Sequence, residues 1–154
     1  MFTQENLDKL EKLRRAYPTS KSLTLSALWM AQEQFGWISP QTMTYVAGLL
    51  DVPVHHVFGV VTFYTMLNRK PVGKYHLQVC TNVSCMLRGA EHLCSRLSTH
   101  LGIKAGETSA DQKFTLSEVE CLGSCGSAPM MQVNDNYEEN LSEGKIDQIL
   151  SSLR

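Results

Sequence analysis

Residues 73–102 read GKYHLQVCTNVSCMLRGAEHLCSRLSTHLG. The first part alternates, placing Tyr75, Leu77 and Val79 on one face of a strand that ends in Cys80. The period then changes: Ala90, Leu93, Cys94, Leu97 and Leu101 line one helical face, and Gly102 is placed to stop that helix. A strand feeding an amphipathic helix is the first half of a βαβ unit, and Lys113 to Val119 supplies a second strand. Met130 to Val133 and a strand around Tyr137 read as a hairpin turned at Asp135-Asn136. Ile146, Ile149, Leu150 and Leu153 give a closing helix behind Ser142. The order strand, helix, strand, hairpin, helix predicts an α/β sandwich on a small sheet.

Upstream the pattern is helical throughout. Leu7, Leu10 and Leu13 mark a short helix ending near Tyr17-Pro18, and Leu28, Ala31 and Phe35 a second, stopped by Gly36. Ser39-Pro40 caps and starts a third, with Met43, Val46, Ala47 and Leu50 at i, i+3, i+4 and i+7. Val54, Val57, Phe58 and Val61 repeat that spacing after Pro53. The polar break NRKPVG, Asn68 to Gly73, separates the two patterns. The expected class is α+β: a helical domain at 1–70 and an α/β domain at 71–154.

Composition excludes several functions. With 154 residues, 43% hydrophobic and 19% charged, the protein can bury a core. Its net charge of -1 gives no basic field for nucleic acid. VAGLLDVPVHHV (46–57) mimics a helix-turn-helix, but the second helix offers His55, His56 and Thr62 where base and phosphate readers would carry Arg, Lys, Asn or Gln. Two packed helices are expected there. No window nears the roughly 18 to 20 apolar residues of a membrane span, and the first residues mix acids with bases where a signal peptide would be apolar. A cytoplasmic, reducing setting follows, in which five cysteines argue for metal or catalysis over disulfides.

Cys80 ends one strand and Cys85 follows after four residues; Cys121 is read as ending another and Cys125 follows after three. If those strands are neighbours, four thiols meet at one sheet edge, a soft-donor metal site. Zinc ribbons favour two-residue knuckles, whereas a [2Fe-2S] cluster takes two thiolates on each iron and suits wider loops. The cluster is favoured over structural zinc and over unliganded thiols; no C-x-x-C is present for a thioredoxin-type thiol enzyme. Small residues Gly123, Ser124, Gly126, Ser127 and Ala128 would let N–H groups approach the sulfurs, and Ser124 would donate to one. Such donors matter because the cluster's formal charge runs from about -2 to about -3 on reduction; a potential near the plant-type value of about -400 mV is expected. Cys94 belongs to the core by its helical register, and Met86, Met130 and Met131 pack beside the cysteine loops.

KPVGKYHLQVCTNVSCMLRGAE (70–91), GETSADQKFTLSEVECLGSCGSAPMMQVND (106–135) and GWISPQTMTYVAGLLDVPVHHVFGVVTFYTML (36–67) together resemble the thioredoxin-like [2Fe-2S] subunits of NADH:quinone oxidoreductase, respiratory complex I. The resemblance implies cluster ligands at Cys80, Cys85, Cys121 and Cys125, none at Cys94, and a thioredoxin-like second domain. It implies a heterodimer with a larger subunit that carries FMN and the NADH site, further peripheral-arm subunits, and a place on the inner face of an energy-conserving membrane without insertion into it. Similar subunits serve NAD-linked hydrogenases and formate dehydrogenases. This chain has no G-x-G-x-x-G after a strand, so it would not oxidise NADH alone and would hold no catalytic residue.

Overall fold

The computed structural model describes residues 1–153, which form two compact units, Met1–Pro71 and, from Val72 onward, the remainder. The first unit holds four helices: α1 (Gln4–Arg14), α2 (Thr24–Phe35), α3 (Pro40–Leu50) and α4 (Val54–Phe63). Their ends follow local chemistry. Thr3 accepts from the Asn6 N–H and Ser39 from the Thr42 N–H, so each supplies an orphan donor with an oxygen. Pro40 opens α3, and α2 stops at Gly36. The leucine, alanine and valine stripes meet in one core built on Leu10, Leu23, Leu28, Ile38, Val46, Leu50, Val57 and Val61.

One stripe is narrower than the spacing predicts. Val57 and Val61 are buried, but Val54 is 45% and Phe58 53% exposed, because α4 packs along one line of residues and turns the rest of the i, i+3, i+4 set away. The α3–α4 pair is a packing pair, as expected, and His56 Nε2 lies 3.2 Å from Thr24 Oγ1 on α2.

The second unit is a four-stranded sheet with helices α5 (Val83–Leu87), α6 (Ala90–Leu101) and α7 (Glu143–Ser152). Its strands β1 (Tyr75–Cys80), β2 (Phe114–Val119), β3 (Met131–Val133) and β4 (Asn136–Glu138) lie in the order β2-β1-β3-β4. β1 and β2 are parallel, in register from Tyr75 opposite Phe114 to Cys80 opposite Val119. β3 runs antiparallel to both β1 and β4. Leu77 and Val79 of β1, Leu116 of β2, and Met131 and Val133 of β3 share a core with Leu93, Cys94 and Leu97 of α6 and Ile146, Ile149 and Leu150 of α7. The period-2 and period-3.6 patterns thus face each other. The hairpin turns at Asn134-Asp135, one residue earlier than predicted, with Val133 opposite Asn136. Asn134 takes the left-handed conformation (φ 53°), which asparagine tolerates.

Candidate metal centre

The parallel register places both cysteine segments at one end of the sheet. Thr81 N–H continues the ladder onto Val119 C=O at 3.0 Å, so β1 and β2 finish level. Cys80 is the last residue of β1 and its N–H bonds to Met130 C=O at 3.2 Å. Asn82 then caps α5 through the Val83 N–H at 2.7 Å. The four-residue spacing predicts an open loop up to Cys85; instead α5 winds that cysteine back beside Cys80, a turn that Asn82 signals. Cys80 and Cys85 are 4% and 2% exposed and share a small apolar cluster with Ala90, Ala128 and Met130.

Past β2 the backbone stays at the surface. Cys121 lies two residues beyond Val119 and is exposed, as is Cys125, which opens a 3-10 turn at Cys125–Ser127. Gly123 between them is left-handed (φ 80°), a conformation that costs glycine nothing, and its N–H points at Cys121 Sγ at 3.4 Å. Ser124, expected to donate to a cluster sulfur, has a carboxylate as its acceptor here. Its hydroxyl donates to the Glu139 carboxylate, which also accepts from Ser127 Oγ at 2.6 Å. Glu139, at the end of the hairpin, carries no signal in the sequence, and Tyr137, read there only as a strand residue, donates its hydroxyl to Leu122 C=O at 2.7 Å. Two serines flanking Cys125 are the local hint to the Glu139 contact.

Burial pushes the Cys85 thiol up, and a hydrogen bond with Cys80 pushes it further; a Met130 backbone hydrogen bond works the other way, and the charges of the Cys80 and Cys125 sulfurs add a smaller upward push. Among the described residues no three Cys, His, Asp or Glu side chains close around a single ion position. Cys94 stands apart on α6: its thiol donates to Glu118 Oε1 at 3.3 Å, and burial, then that carboxylate, raise it to about 12. Met130 and Met131 are buried, whereas Met86 is 47% exposed.

Two buried and two exposed thiols lie at the carboxyl end of a parallel strand pair on an α/β sandwich, with a backbone N–H aimed at one sulfur. The donor set fits an all-cysteine iron–sulfur cluster. The protein belongs to the thioredoxin-like [2Fe-2S] ferredoxin family, whose model matches residues 10–154. It is 44% identical over 152 residues to the E subunit of the NADH-quinone oxidoreductase of Rickettsia prowazekii (strain Madrid E), covering 97% of this protein and 86% of that one. It is 44% identical over 147 residues to the E subunit numbered 2 of the NADH-quinone oxidoreductase of Rhizobium meliloti (strain 1021), covering 96% and 88%. A solved structure of an NAD+-reducing [NiFe]-hydrogenase in the air-oxidized state aligns with TM-score 0.74 at 21% identity, over 85% of this protein and 22% of the hydrogenase polypeptide. That likeness speaks for the fold alone.

Proposed function

We propose that this protein is the electron-transfer subunit of an NADH:quinone oxidoreductase, holding a [2Fe-2S] cluster on Cys80, Cys85, Cys121 and Cys125. The observation that carries the reading is the level finish of β1 and β2, which delivers a buried thiol pair and an exposed thiol pair to one sheet end. When bound, the cluster supplies one-electron chemistry. Cys80 and Cys85 would shield one side of it in an apolar wall with Met130, and Gly123 N–H would stabilise charge on the Cys121 sulfur. Electrons would pass to and from FMN on a partner NADH-binding subunit, since residues 1–154 carry no dinucleotide loop.

Association with such a partner is supported by apolar surface within each unit. α5 exposes Val83, Met86 and Leu87 next to Cys85, and the helical unit exposes Phe58, Phe63 and Met66. No helix among the described residues is long and apolar enough to cross a membrane, so a place on the inner membrane face would come through other peripheral-arm subunits. The units Met1–Pro71 and Val72 onward would be separate domains, helical and cluster-bearing.

The test is an EPR spectrum of the anaerobically purified protein before and after dithionite, with iron and zinc measured on the same sample. A silent oxidised state that becomes a rhombic spin-half signal, with about two irons per polypeptide, is expected. Alanine at any of the four cysteines should abolish it, and Cys94→Ala should not. One zinc per polypeptide and no signal would overturn the reading. Co-purification with a flavoprotein and quinone-arm subunits, rather than with hydrogenase or formate dehydrogenase subunits, identifies the complex.

A further inference from the structure

We propose that Glu139 is a positioning residue for the second cysteine loop, bracing it against the hairpin and holding a negative charge beside Cys125 that makes a bound cluster harder to reduce. The charge half of this inference rests on the cluster assignment above. Five hydrogen bonds involving residues 137–141 span the loop on both sides of Cys125. Tyr137 Oη donates to Leu122 C=O at 2.7 Å, and the Glu139 carboxylate accepts from both Ser124 Oγ and Ser127 Oγ. Asn140 N–H bonds to Ser127 C=O at 2.7 Å, and Leu141 N–H to Pro129 C=O at 2.8 Å. Of the five, only the two to the Glu139 carboxylate bring a charge.

That charge is not cancelled by an ion pair. Lys145 Nζ donates to the Glu139 backbone carbonyl oxygen at 2.7 Å and pairs with Glu138 Oε2 at 3.5 Å; its charge also acts on the Glu139 carboxylate, but less than the two serine hydroxyls do. The two hydroxyl donors hold Glu139 below its ordinary value, so it is ionised at neutral pH. Reduction adds negative charge to the cluster, and a fixed carboxylate nearby opposes it. The same arrangement commits the Ser124 hydroxyl proton to Glu139, so it is not offered to a sulfur, where it would ease reduction.

Glu139→Gln keeps an amide oxygen for the serines and loses the charge; Glu139→Ala loses both. In redox titrations of the full-length protein followed by EPR, Glu139→Gln should bind electrons about tenfold more tightly, a positive shift of about 59 mV for a one-electron couple. Its loop amides should exchange as in wild type. In Glu139→Ala, deuterium uptake across residues 122–128 of the metal-free protein should rise several-fold. A wild-type midpoint in Glu139→Gln would overturn the charge role, and wild-type exchange in Glu139→Ala the brace. A wild-type protein that never takes up iron would overturn the cluster assignment and the charge role with it, while exchange in the metal-free protein would still decide the brace.

Discussion

Gly73 sits where the backbone enters β1, and replacing it with alanine tests how tightly the parallel pair is built. An added Cβ would lie 2.8 Å from Lys113 C and Phe114 N and 2.9 Å from Phe114 C, all backbone atoms, where ordinary contact begins at 3.4 Å. The strands must part by about half an ångström, since no flexible side chain can give way. Overpacking of this kind costs about 1–3 kcal/mol. Parting also strains the 2.7 Å bond from Gly73 N–H to buried Thr115 Oγ1, with about 0.5–1.5 kcal/mol more at stake. Gly73→Ala should therefore cost the second unit about 1.5–4.5 kcal/mol, with Tm falling by about 4–8 °C for each kcal/mol lost. Differential scanning calorimetry and urea titration of the full-length protein measure it. Gly144→Ala in α7 is the control, because its Cβ meets nothing within 4 Å; it should be neutral or stabilise by up to about 1 kcal/mol. Equal midpoints for Gly73→Ala and wild type would refute the close-approach argument, as would an equal loss in both variants.

Two further variants probe the same unit. Cys94 keeps its proton in the folded protein up to about 12, whereas an unfolded thiol loses it near 9.0, so its contribution is intact below about pH 9 and is lost as pH rises toward 12. Urea titrations at about pH 8 and pH 10.5 should show a steeper alkaline loss in wild type than in Cys94→Ala, and identical slopes would contradict the burial argument. Ser142 caps α7 through the Lys145 N–H at 3.2 Å, so Ser142→Ala should lose about 1 kcal/mol while Ser142→Gly loses only a few tenths; alanine and glycine variants of equal stability would remove the cap from the account.

The residues by themselves determined most of the framework, because its signals are local. Tyr75, Leu77 and Val79 fixed a strand face, Ala90 to Leu101 a helix face, and Ser39, Ser142, Gly36 and Gly102 the helix ends, each within one turn or one pleat of itself. The spacing of Cys80, Cys85, Cys121 and Cys125 marked out a candidate donor set for the same reason. Tertiary structure decided what depends on distant residues. That Val54 and Phe58 face outward follows from how α4 packs, which no spacing on α4 alone records. The split into a buried pair, Cys80 and Cys85, and an exposed pair, Cys121 and Cys125, follows from α5 folding one segment under Met130 while the other stays outside. The hold of Glu139 on Ser124 joins residues 15 positions apart across a hairpin. Hydroxyls go to whichever acceptor the fold brings within reach, and a one-dimensional pattern carries no record of that choice.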